Sequence, residues 1–122
     1  MDISNACSTD YAELTTEATL SEARGLFTED VETRAIVLTN DGEFAGVLSR
    51  KQLLGSKHSP DERTRSVLQH PPRVSRSEDV RETARLMVES GLDLLPVFEG
   101  DQFFGVITAR DLLELVHPHL DA

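Results

Sequence analysis

The chain carries one pattern twice. Gly46-Val47-Leu48-Ser49-Arg50-Lys51-Gln52-Leu53-Leu54 aligns with Gly105-Val106-Ile107-Thr108-Ala109-Arg110-Asp111-Leu112-Leu113 at a shift of 59 residues. Upstream, Leu14-Thr15 aligns with Val74-Ser75, and Leu20 through Phe27 with Val80 through Met87, at a shift of 60. A one-residue slip falls between the two blocks. An internal repeat restricts the fold to two copies of one supersecondary unit, each too small to cover its own apolar face.

Each copy reads in the same order. An extended piece, Ala12 to Thr15 or Arg73 to Ser75, precedes a polar turn. A helix then starts at Thr19 or Asp79. Val80, Ala84, Met87 and Val88 form an apolar stripe in the second copy, and Leu20, Ala23, Leu26 and Phe27 form one in the first. Gly91 stands where a helix C-cap favours positive φ. Arg34 to Thr39 and Phe44 to Leu48 flank Asn40-Asp41-Gly42, while Leu94 to Phe98 and Phe103 to Ile107 flank Glu99-Gly100-Asp101, two hairpin signals. A last helix follows from Ser49 or Thr108. The expected fold is α+β (layered α/β): two tandem β-α-β-β-α repeats packed about a pseudo-two-fold axis, with two symmetry-related clefts. The first repeat with its lead-in spans 1–58, a linker containing Pro60 spans 59–70, and the second repeat with a short tail spans 71–122, entered through Pro71-Pro72.

Composition narrows the partners. Twelve basic residues against twenty-two acidic ones give a net charge of −10, which repels phosphate backbones and argues against nucleic acid. Lys51 and Lys57 are the only lysines, and so acidic, lysine-poor a surface fits a halophilic archaeon, where salt screens the charge. No run approaches ~20 apolar residues, so membrane insertion is not expected. MDISNACSTD lacks the features of a signal peptide, and the lone Cys7 fits a reducing compartment, so the expected location is cytoplasmic.

A duplicated β-α-β-β-α unit whose last strand-to-helix step reads G-h-x-[S/T]-x-x-D resembles a tandem pair of cystathionine β-synthase (CBS) domains, a Bateman module. Leu95-Pro96-Val97, the Glu99-Gly100-Asp101 turn and the Gly105 to Leu113 run carry the resemblance, which extends from about Cys7 to Val116. It implies a regulatory module rather than an enzyme. Such pairs bind an adenosine-containing ligand (AMP, ADP, ATP or S-adenosylmethionine) in their clefts, as a regulatory ligand and not a required cofactor. It also implies a homodimer formed through helices, and a regulated protein in trans.

The two copies act as controls on each other. Thr108 followed by Asp111, and Ser49 followed by Gln52, both match a capping box. Only the second copy carries a carboxylate, which accepts two hydrogen bonds from a ribose diol, whereas Gln52 offers one acceptor. Thr108, the backbone N–H groups at the helix start and Arg110 suit a phosphate. For Asp111 the ligand reading is preferred to the cap; Thr108 is expected to serve both. The resemblance places the adenine against Pro72 to Val74 and Leu95-Pro96, although Val74 and Leu95 also read as core. The first copy keeps Ser49, Arg50, Lys51 and Gln52, a weaker cleft that either stays empty or takes phosphate only. The alternative function is a scaffolding pair that binds no nucleotide. His117-Pro118-His119 reads as a frayed tail rather than a metal site, Cys7 as packing rather than a nucleophile.

Overall fold

The computed structural model describes residues 1–30, 33, 35–54, 57–68 and 70–120, the side chains at 54 and 118–120 aside. The order is β1 (Ala12–Thr15), α1 (Leu20–Glu29), β2 (Ala35–Asn40), β3 (Glu43–Ser49), α2 (Arg50–Leu54), a 3-10 turn (Thr64–Val67), β4 (Val74–Ser75), α3 (Val80–Ser90), β5 (Leu94–Glu99), β6 (Gln102–Thr108) and α4 (Ala109–Leu120). Two three-stranded sheets result, β1-β2-β3 and β4-β5-β6, each with a parallel first pair and an antiparallel second pair. This is the duplicated β-α-β-β-α order. Arg34, assigned to the first hairpin by its sequence, lies outside the described residues.

Local chemistry sets the boundaries. Thr19 accepts from the Glu22 N–H at 3.2 Å and Asp79 from the Arg81 N–H at 2.8 Å, so each long helix opens on a side-chain cap. Gly91 closes α3 at φ 71°, a left-handed conformation that a Cβ would penalise. Between β2 and β3, Asp41 and Gly42 take φ 53° and 81°, the two positive values a two-residue hairpin turn with matching twist requires. Both hairpins carry an irregularity at the corresponding place, after Leu38 and after Val97. There Ala45 and Phe104 stand as the extra residue, immediately before Gly46 and Gly105.

One stripe differs from expectation. Val88 is 82% exposed, while Thr83 and Met87 are buried. Successive helical residues turn by about 100°, so a face centred between Thr83 and Met87 leaves position 88 roughly 120° away, on the solvent side. Thr83 is accommodated because its hydroxyl donates to the Asp79 carbonyl at 3.0 Å.

The chain divides into two compact units, and the division is not the linear one. One unit comprises Asp10–His70; the other joins Met1–Thr9 to Pro71–Ala122. In the second of these, Ile3 is fully buried among Val74, Met87, Leu95, Val97, Ile107 and Leu112. Its removal from water is worth about 1.5–3 kcal/mol, enough to hold a short segment down. In the Asp10–His70 unit, Leu20, Ala23, Phe27, Ile36, Leu38, Leu48 and Leu53 form the core, and Val67 and Leu68 pack against it.

Each unit thus has a segment seated on its own helix start. The Val80 N–H donates to the Met1 carbonyl at 2.9 Å, and the Leu20 N–H donates to the Glu62 carbonyl at 2.9 Å. These bonds satisfy first-turn amides that a helix leaves open. The lead-in therefore belongs structurally with 71–122, and the 59–70 linker with the first repeat.

Candidate functional site

The strand-to-helix turns are built alike in the two units. The Thr108 N–H donates to Asp111 Oδ2 at 2.8 Å, and the Asp111 N–H donates to Thr108 Oγ1 at 3.1 Å. The Ser49 N–H donates to Gln52 Oε1 at 2.8 Å, and the Gln52 N–H to Ser49 Oγ at 3.2 Å. Both are reciprocal capping boxes. Asp111 therefore caps α4, and a neutral amide does the same at α2. The difference left between the turns is one negative charge, on a residue only 6% exposed. Burying a carboxylate costs more than burying an amide, so capping alone does not call for Asp111.

The helix start is less open than its sequence suggests. The Ala109 N–H donates to the Asp93 carbonyl at 2.9 Å, so the amides of Thr108, Ala109 and Asp111 all donate within the protein. These three bonds narrow the expected cradle of N–H groups at the helix start. The Thr108 hydroxyl and the side chain of Arg110 are polar groups of this turn that suit an anion. Arg110 reaches into solvent and pairs with Glu114 at 3.0 Å one helical turn on.

Sheet register gathers the remaining residues. Leu94 stands opposite Thr108, Leu95 opposite Ile107 and Pro96 opposite Val106. β4 runs parallel to β5 with Val74 opposite Val97, so Pro72 leads back toward the end of the sheet that holds Thr108. Val74, Leu95 and Pro96 are buried and Pro72 half-buried. The side chains of Val74 and Leu95 are core, which leaves their backbone as the groups available to a ligand.

The residues of the weaker cleft are distributed differently. Ser49 is buried and Lys51 exposed. Arg50 turns away from its own helix start: Nη1 donates to the Phe27 carbonyl at 2.9 Å, Nη2 to the Thr33 carbonyl at 3.3 Å, and the guanidinium lies 4.9 Å from the Phe27 ring centre. α1 ends on Asp30 rather than on a glycine and has no basic residue in its last turn, so Arg50 supplies the positive charge that this helix end favours. The signal was present in the repeat: Arg50 is matched by Ala109, and the glycine-capped helix is the one in the copy without that arginine.

Two features escape a reading by motif. Arg73 stacks over Phe98 at 4.1 Å and Arg76 over Phe104 at 4.0 Å, both in the second repeat. The lead-in also reaches this site's strand: Ser8 and Val106 exchange both backbone bonds, at 2.8 and 2.9 Å. Cys7 donates from Sγ to the Ile3 carbonyl at 3.1 Å, and burial pushes its thiol up to about 11. A thiol protonated at neutral pH is a poor nucleophile. Of the C-terminal histidine pair, His117 is exposed, and the side chain of His119 lies outside the described residues.

The profile of the CBS domain family matches residues 2–58 and 65–118. No curated protein sequence matches the chain. Among solved structures, a protein with CBS domains from Burkholderia ambifaria superposes with a TM-score of 0.83 at 20% identity, over 95% of this chain and 93% of that one. A conserved CBS domain protein of unknown function from Thermoplasma acidophilum gives 0.83 at 24% identity, over 93% of this chain and 68% of that one. The cytosolic domain of the Mg2+ channel MgtE, in complex with ATP, gives 0.69 at 25% identity, over 89% of this chain and 46% of that one.

Proposed function

The chain belongs to the CBS domain family, as a pair of repeats, and from that premise we propose that it is a regulatory module that binds an adenosine-containing ligand at the β6–α4 turn of its second repeat. Asp111 takes the ribose diol; Thr108 and Arg110 take phosphate. The backbone of Pro72 to Val74 and Leu95-Pro96 borders the adenine. The ligand is AMP, ADP, ATP or S-adenosylmethionine, and the relative in complex with ATP supports that class. Occupancy acts by favouring one geometry of a homodimer, which a partner protein reads in trans; a ligand does this only through unequal affinity for two states.

The observation that carries the reading is the charge at Asp111. Gln52 completes the same two-bond cap without it, at matching distances. A buried carboxylate that the cap does not require is suited to a ligand that donates hydrogen bonds.

Asp111→Gln tests this directly, because it installs the sibling repeat's side chain and keeps the cap. Titration calorimetry with the four adenosine compounds should give heat with the unsubstituted protein. The variant should bind at least about tenfold more weakly, the loss of one charge-assisted hydrogen bond, with its melting temperature in the absence of ligand little changed. Equal affinity in the two proteins would remove Asp111 from the site. No heat with any of the four would favour the scaffolding alternative.

A further inference from the structure

The segment Met1–Thr9 lies far from Thr108 in the chain yet packs in the same compact unit. Three contacts tie it to the elements that carry the site. Ile3 is buried in one core cluster with Ile107, the residue before Thr108, and Leu112, the residue after Asp111. Ser8 and Val106 exchange their backbone bonds two residues before Thr108. At Gly105 a Cβ would run into the carbonyl oxygen of Ser8, so the absence of a side chain there is what lets the two strands meet. Cys7, between these anchors, packs against the same core and senses the charges of both Asp111 and Arg76.

We propose that Ile3–Ser8 is a strap that positions the Thr108–Asp111 turn, so that strap docking and occupancy of the turn stabilise each other. Freeing Ser8 leaves the edge of β6 without its partner at Val106, and lifting Ile3 opens the core beneath Ile107 and Leu112. The capping bonds between Thr108 and Asp111 then lose their support on both sides. Linkage is reciprocal, so whatever holds the turn closed also holds the strap down. The second half of this proposal rests on the nucleotide reading above; the first half does not.

Cys7 is the only cysteine in the chain, so its labelling by a thiol reagent reports strap opening without added probes. Gly105→Ala should displace Ser8. Ser8→Pro removes the donor to Val106 without altering a core side chain, and it carries the comparison if the first variant fails to fold. In either variant Cys7 labelling should rise about tenfold. Amide exchange at Thr108 and Asp111 should rise with it, while Ser49 and Gln52 exchange as before. Faster labelling with unchanged exchange at Thr108 and Asp111 would overturn the strap's positioning role, as would equal acceleration at Ser49 and Gln52. For the ligand arm, saturating ATP should slow Cys7 labelling in the unsubstituted protein by about fivefold. Calorimetric binding of ATP with no change in labelling would overturn the linkage. Absence of heat with ATP and with the other three adenosine compounds would refute the nucleotide reading instead, and the exchange comparison would still decide whether the strap positions the turn.

Discussion

Single residues decide most of what differs between the two repeats. Arg50 and Ala109 occupy matching positions, and the arginine spends its guanidinium on the carbonyls that end α1. Arg50→Met should keep the apolar stem and lose about 1–2 kcal/mol, seen as a lower urea midpoint, because two bonds to carbonyls and a favourable charge at a helix end go together. Nucleotide heats at the Thr108–Asp111 turn should be unaffected; a phosphate-dependent change in affinity would return Arg50 to a binding role. Cys7 makes a pH prediction. Burial raises its thiol from an ordinary 9.0 to about 11, so between those values the unfolded chain gives up a proton that the native one keeps. The contribution is complete below 9.0 and disappears as pH climbs through about 11. Urea melts of the native protein and of Cys7→Ala across this window should therefore converge as pH rises, with other titrations cancelling in the difference.

At the scale of elements, caps and cores make separable contributions. Asp79→Ala and Thr19→Ala should each cost about 1 kcal/mol in chemical denaturation, because each removes a side-chain acceptor from the first turn of a long helix. A loss well under ~0.3 kcal/mol would mean that the segment seated on that helix start does the capping by itself. Elements were legible in the sequence because each repeat confirmed the other: both cap residues, Gly91 and both hairpins fall where spacing put them. The lead-in was not legible. Ile3 stands alone in a polar stretch with no periodicity to assign it, and its burial depends on residues ~70 or more positions away, a long-range choice that local pattern does not encode. The candidate site was legible in its residue types and only partly in its geometry. The repeated hydroxyl and acceptor announced two capping boxes. The engagement of the Ala109 amide with Asp93 depends on hairpin register, and the turning of Arg50 toward α1 depends on how that helix ends.

For the molecule as a whole, charge is the property whose effect on stability varies most with solution conditions. The twelve basic residues can offset at most twelve of the twenty-two acidic ones, so a net charge of −10 remains to repel itself in a compact chain. Salt weakens that repulsion and also weakens the attractive surface pairs, among them Arg65–Glu17, Arg76–Glu99 and Arg110–Glu114. Exposed pairs of this kind contribute about 0–1 kcal/mol each and are easily screened. The repulsion is a sum over many carboxylates in excess of the cations and should outweigh them. Stability should therefore rise with sodium chloride, most steeply up to about 0.5 M, where the screening length has already shrunk to a few ångströms, and then more gently. Melting temperatures measured from about 0.05 to 1 M would show this as an increase of several degrees that flattens at the upper end. A flat or falling curve would mean that the pairs prevail over the net charge.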